Sequence, residues 1–311
     1  MKISRCFLFI SLIYLPLSQS YCQNIPSRHT TALNDAIKRQ DHTEERKLLE
    51  SGADPNAVDE RFATPLELAL STDDTESVLL LLAHGANPNR YDSIVGPLVV
   101  LGADENSFHT LDILLRHGAT IDAKDPLGQT ALHVAAYRGN LEAMRVLIAN
   151  GIELNIKNNN GETALFQAVL GHQEAAVELL LQNGSDVNDL NDGLGSALLL
   201  ATDLFVGSRD SSTLSSFDKI TFGDSTGASR RRIYLAIIDL LLKYHANPSL
   251  TDRKWRLTPL HVAAERCDLV LAEKLLSHGA SNSIKDKNGL TPSDIALKAN
   301  CKQVYEAIIK H

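Results

Sequence analysis

Thr258-Pro259-Leu260-His261-Val262-Ala263-Ala264 reads as the opening of a helix, and a near copy stands at Thr130-Ala131-Leu132-His133-Val134-Ala135-Ala136. The threonine offers a hydroxyl acceptor at the N-cap, and Pro259 occupies the first helical position, where a missing N–H costs nothing. The alanine pairs keep the helix thin, so a neighbouring helix can approach it closely. Thr64-Pro65-Leu66 is a third copy of the opening. The start positions form a ladder, Thr31, Thr64, Gly96, Thr130, Thr163, Ser196, Thr258 and Thr291, whose steps are 33 residues except around Gly96 and between Ser196 and Thr258. A second ladder, Gly52, Gly85, Gly118, Gly151 and Gly184, advances by 33 at every step. Two independent ladders with one period are the signature of a solenoid.

Each unit reads as a helix, a turn, a second helix and a projecting hairpin. The second helix supplies leucine and valine at i, i+3 and i+4, as in Val177-Glu178-Leu179-Leu180-Leu181, and these residues are predicted to form the core between layers. The glycine after it takes the left-handed conformation that ends a helix. Asn, Asp and Pro, as in Gly52-Ala53-Asp54-Pro55-Asn56, then turn the chain outward.

With these starts and His278-Gly279-Ala280, the sequence resembles the ankyrin-repeat family from about residue 31 to 311. The resemblance implies an all-α solenoid of about eight helix-turn-helix units with hairpin loops, near 31–63, 64–95, 96–129, 130–162, 163–195, 196–257, 258–290 and 291–311. Two units depart from the pattern. The third begins Gly96-Pro97-Leu98-Val99-Val100, and the sixth carries His245 where the helix-ending glycine belongs, so local irregularity is expected in both. Glu44-Glu45-Arg46-Lys47 in the first unit reads as the polar outer face of a terminal cap. The last unit stops after its second helix.

Between Ser196 and Thr258 the chain is 29 residues longer than one period, and 28 of these fall between the two helices of the sixth unit, roughly Val206 to Ile233. The segment mixes Gly207-Ser208-Arg209-Asp210 with Phe217, Ile220, Phe222 and then Arg230-Arg231-Arg232. It is expected as a surface loop, either a decoration or an arm that touches a partner.

The first 22 residues stand apart. Lys2 and Arg5 precede the apolar run Cys6 to Leu15, followed by Pro16 and small polar residues, which is the pattern of a signal peptide cut after Ser20 or Cys22. The run is shorter than the roughly 20 residues that span a bilayer. Residues 23–30 read as a short linker. Export to the periplasm or outside the cell is expected, as in exported bacterial ankyrin-repeat proteins; retention in the cytoplasm is the alternative. The chain carries a formal charge of −8, and both charges of the leader are positive, so the remainder is more acidic still. An acidic body repels phosphate backbones and acidic membrane surfaces. Another protein is the expected partner, with no nucleic acid, no membrane insertion after leader removal, and a monomeric chain.

Cys6 and Cys22 are assigned to the leader, leaving Cys267 and Cys301. These follow their helix starts by nine and ten residues, which places them at the ends of the first helices of adjacent units. Packed helices stand about 8–10 Å apart, whereas a disulfide needs Cα atoms within about 7 Å, so two free thiols are expected.

No cofactor, metal or catalytic residue is assigned. The sequence contains no phosphate-cradling glycine loop, no His-Glu-x-x-His, no Cys-x-x-Cys and no nucleophile elbow. His84, His117 and His278 recur before helix-ending glycines, where the helix dipole favours a cation. His133 and His261 belong to the helix-start motif, where the family's imidazole satisfies loop backbone groups. The resemblance instead implies a non-enzymatic scaffold whose concave surface combines hairpin tips with outward positions of the first helices. The corresponding residues are Phe62, Tyr91, Tyr137, Arg138, Asn160, Gln167, Trp255 and Arg256. Trp255, the only tryptophan, has two readings, contact with a partner or packing under the insertion. The rival function is an enzyme whose site is formed by the 206–233 insertion against the repeat face.

Overall fold

The computed structural model describes residues 28–311 apart from 61–62, 93–95, 105–106, 192, 194 and 207–226. The proposed leader, residues 23–27 of the linker, Phe62 and most of the insertion lie outside the described residues. Sixteen helices are described. In chain order they are α1 (Arg28–Arg39), α2 (His42–Glu50), α3 (Pro65–Ser71), α4 (Thr75–Ala83), α5 (Leu98–Asp104), α6 (Phe108–Arg116), α7 (Ala131–Arg138) and α8 (Leu141–Ala149). Then follow α9 (Ala164–Leu170), α10 (Glu174–Gln182), α11 (Ala197–Val206), α12 (Gly227–Lys243), α13 (Pro259–Glu265), α14 (Leu269–Ser277), α15 (Pro292–Lys298) and α16 (Lys302–Lys310).

The odd-numbered helices stack on one another as an inner layer and the even-numbered ones form an outer layer. One apolar core from Leu33 to Ile308 runs between them. Ala135, Ala136, Ala263 and Ala264 are fully buried, as a close-packed inner layer requires. The approach is tightest at Gly171, where a Cβ atom would come within 2.1 Å of the Tyr137 carbonyl oxygen of the preceding unit.

Helix starts follow the capping logic. Thr64, Thr258 and Thr291 each close a capping box with the residue three positions on. In two units that residue is histidine. His133 Nδ1 accepts the Thr130 N–H at 3.1 Å, and its Nε2 donates to the Glu162 carbonyl of the next hairpin at 3.0 Å. His261 repeats this with the Thr258 N–H and the Leu290 carbonyl. Burial, the largest effect on His133, pushes its imidazole below the usual range, which keeps it the neutral connector this geometry needs. His84, His117 and His278 place Nδ1 2.8–2.9 Å from the carbonyl four residues back, so each closes its own helix end.

The irregular units are resolved locally. Tyr91–Asp92 (β1) and Gly96–Pro97 (β2) pair antiparallel, and α5 starts directly after them. His245 takes φ +66° where Gly52, Gly85, Gly118, Gly151 and Gly184 take +82° to +92°, so the helix ends as the others do without a glycine.

Four expectations need correction. Thr31 is not an N-cap, because α1 already runs from Arg28. Glu45, read as part of an exposed cap, is fully buried between α2 and α4 and accepts the Ser77 hydroxyl at 2.6 Å. The insertion is not a loop throughout, since Gly227–Ile233 form the first two turns of α12. Arg231 in those turns pairs with Asp268 at 2.7 Å and lies 4.6 Å from the Phe205 ring centroid, which explains a cation at an otherwise unfavourable helix start. Finally, Cys267 and Cys301 are joined in a disulfide with Cα atoms 5.1 Å apart. Both stand in turns between helices rather than on helices, Cys267 at φ +57° and Cys301 as the N-cap of α16. Adjacent turns approach more closely than helix axes do.

The junction of the first two units is held by ionisable groups. His42 reaches Asp74 at 3.0 Å and Glu76 at 3.1 Å. The hydrogen bond to Asp74 raises His42 above its ordinary value near 6.5. Burial works against ionisation of Asp74, but the bonds from His42 and Ser77 outweigh it and lower its pKa. Burial raises Glu45, whose Oε1 has no hydrogen-bond partner. A histidine raised on folding contributes stability that is complete below its unfolded value near 6.5 and is lost as pH climbs through the folded value. Titrating the wild-type chain upward from pH 6 should therefore destabilise it more than His42→Gln. Parallel pH profiles from urea unfolding would contradict this linkage.

Candidate partner-binding surface

Several hairpins are built around one acceptor side chain. Asp125 Oδ1 accepts from the N–H of Leu127 and Gln129 at 2.9 and 2.8 Å. Asn158 Oδ1 holds Asn160 and Glu162 at 2.9 and 3.0 Å, and Asp286 Oδ1 holds Asn288 and Leu290 at 2.8 and 2.9 Å. Burial opposes ionisation of Asp286, but the N–H groups of Leu290 and Asn288 outweigh it and keep the carboxyl below the usual range. A tip anchored in this way is preorganised.

Neighbouring hairpins are also stitched together. The Asn159 N–H donates to the Leu127 carbonyl at 3.1 Å, and the Lys287 N–H to the Trp255 carbonyl at 2.9 Å. Asn56 and Asn89 Nδ2 donate to the carbonyls of Gly85 and Gly118 in the following units at 2.9 and 2.8 Å. The tips therefore form a connected row.

The sixth hairpin differs. Its acceptor, Asp252, stands six residues before the helix start instead of five, and it takes the N–H of Trp255 and of Leu257. The extra residue is accommodated with Arg256 at φ +55°, the position where Gly128, Gly161 and Gly289 take +73° to +78°. An L side chain in that region costs about 1–2 kcal/mol. Glycine recovers this at some cost in chain entropy, so Arg256→Gly should raise stability by about 0.5–1 kcal/mol. A fall in the urea midpoint would mean that the arginine side chain anchors the hairpin.

What the tips present is partly apolar. Leu127, Trp255 and Asn160 occupy equivalent positions, and Leu127 is 64% exposed and Trp255 48%. Tyr91 on β1 is 54% exposed. Leu127 was missed in the sequence because leucine is the commonest core residue, although its place three residues before Thr130 marked it as a tip. Trp255 has the ammonium groups of Lys254 and Lys287 at 5.2 and 5.4 Å from its ring centroid.

The remaining predicted residues separate. Tyr137 and Arg138 end α7 on the inner layer; Tyr137 is half-buried, and exposed Arg138 bonds Asp104 at 2.6 Å. Gln167 is corrected outright. It is 5% exposed and donates to Glu162 at 2.8 Å, joining Asn158 and Glu162 in a buried network that braces the hairpin before Thr163. Its helix position faces outward on paper, but the adjacent hairpin folds over it. Among the described residues no group of three or more His, Cys, Asp and Glu side chains is placed to hold a metal ion.

A sequence model of ankyrin repeats in three copies matches residues 99–191 and 227–311, and a single-repeat model matches 63–93. The chain belongs to the ankyrin-repeat family. Among solved structures, the ankyrin repeat domain of Bcl-3, titled a unique member of the IkappaB protein family, superposes with a TM-score of 0.65 at 24% identity. The match covers 80% of this chain and 99% of that one. At that identity the likeness establishes the fold of the ankyrin array alone. No curated protein sequence matches the chain. The gap between the two three-copy matches, residues 192–226, contains the break in the ankyrin period noted above.

Proposed function

We propose that the chain is an exported, non-enzymatic scaffold that binds another protein through its row of hairpin tips and the adjoining inner helices. Ankyrin repeats generally mediate protein binding, and here the observation that carries the reading is specific. Leu127 and Trp255 hold large apolar side chains in water on hairpins held by the Asp125 and Asp252 carboxylates, and Tyr91 does so on the paired strands β1 and β2. Aromatic anchors on a rigid support are what interfaces concentrate their energy in. Export is supported by the leader-like first 22 residues and by the disulfide between Cys267 and Cys301, since such bonds persist in oxidising compartments. No described helix is long and apolar enough to cross a membrane.

The test has two arms. Crosslinking of the mature chain to its captured partner should give peptides from the hairpin tips, and Tyr91→Ala with Leu127→Ala should weaken capture about tenfold or more at unchanged helix content. Capture unaffected by both substitutions would overturn the surface assignment. N-terminal sequencing of the isolated protein should begin after Ser20 or Cys22, and an intact Met1 would overturn export.

A further inference from the structure

Charge is distributed unevenly along the row of tips. The hairpins of residues 250–257 and 283–290 expose Arg253, Lys254, Arg256, Lys285 and Lys287 around Trp255. The two carboxylates within these stretches, Asp252 and Asp286, are buried and committed to backbone N–H groups. The exposed face of the pair is thus basic in a chain of net charge −8. Earlier lysines of the row are used internally. Lys124 donates to the Lys157 carbonyl at 2.9 Å, and Lys157 donates to the Leu190 carbonyl at 2.8 Å and pairs with Asp189 at 2.6 Å. At the last two hairpins, by contrast, the lysines on either side of Trp255 meet the indole face, and the Lys287 N–H bonds the Trp255 carbonyl, drawing the two tips together. Lys254, Lys287 and Arg256 thus stand together on two touching turns, with Arg256 in a left-handed backbone conformation. Cations grouped in this way attract an anion.

We propose that these paired tips bind a carboxylate-rich polypeptide segment, with Trp255 as its apolar anchor. The proposal rests on the scaffold reading and names the chemistry of the partner at one end of the row. The arrangement suits a short segment. Acidic side chains meet the cations while an apolar neighbour covers the indole, and the segment can leave the patch before it meets the acidic remainder of the protein. A nucleic-acid strand or an anionic bilayer extends its charge well past two hairpins, over a body that repels it.

Because Trp255 is the only tryptophan, its emission reports binding directly. Titrating the mature chain with a ten-residue peptide of Glu and Asp around one Leu should shift that emission saturably. The affinity should fall several-fold between about 50 and 200 mM salt as screening increases. Lys254→Glu with Lys287→Glu, both exposed positions, should weaken it at least tenfold while the helix content is unchanged. Equal binding by the double variant, or no emission change at saturating peptide, would overturn the proposal. So would tighter binding of a single-stranded oligonucleotide or of phosphatidylserine vesicles. Partner capture through Tyr91 and Leu127 is the separate control. If it persists while the peptide fails, only this inference falls; if no capture occurs at all, the scaffold reading falls.

Discussion

Leu180→Ala is expected to destabilise the array by about 2–5 kcal/mol, the range for removing a buried leucine from a core that cannot collapse around the gap. Leu180 is 0% exposed on α10, which packs on α9 of its own unit and on α8 and α12 of the units to either side. The void therefore opens between layers, where the spacing is set by several neighbours at once, and relaxation at one contact strains another. In a solenoid each unit is stabilised by its two interfaces, so the loss should spread to adjacent units rather than stay local. Urea unfolding followed by circular dichroism gives the total, and hydrogen exchange gives its distribution. A cost near zero would show that the second helix of the fifth unit does not face the core.

Removing the disulfide should have an effect of similar size. Cys267 and Cys301 are 34 residues apart, and closing a loop of that length constrains the unfolded chain by about 3–4 kcal/mol. The bond ties the seventh unit to the eighth at the N-cap of α16. Cys267→Ser, at an exposed position, should therefore act mainly on the last two units. They are expected to unfold at lower urea than the rest, giving a resolved first transition that the oxidised wild type lacks. Reduction of the wild type should reproduce this shift. If mutation and reduction both leave the profile unchanged, the bond contributes nothing to the folded array.

Legibility followed locality. The helix starts at Thr64, Thr130, Thr258 and Thr291 were readable because an N-cap and its partner three residues on are neighbours in the chain. So were the buried leucines, whose spacing carries the helical period, and the hairpin tips, which sit at fixed distances from those starts. His245 shows the limit from one side. The residue was irregular as a letter, yet the turn imposed the glycine conformation upon it. Trp255 and Asn160 were found at the tips because the period put them there, whereas Leu127 was overlooked because its type argued for the core. Gln167 was misplaced because its exposure depends on the network with Asn158 and Glu162 across the hairpin.

The amino-acid sequence alone determined the period, the two-helix unit, the family resemblance and the acidic balance, since each is read from residue identities and their spacing along the chain, whichever parts of it meet on folding. Only the tertiary structure decided that Cys267 meets Cys301, that Glu45 is enclosed between two outer helices, and that Arg231 finds Asp268 and Phe205. It also drew the lysines of two hairpins around one indole. Except for Lys254, the chain neighbour of Trp255, those partners lie 26 to 37 residues apart in the chain. A repeating sequence specifies which unit comes next, but the distance between side chains of neighbouring units is set by how far the layers and turns close on packing.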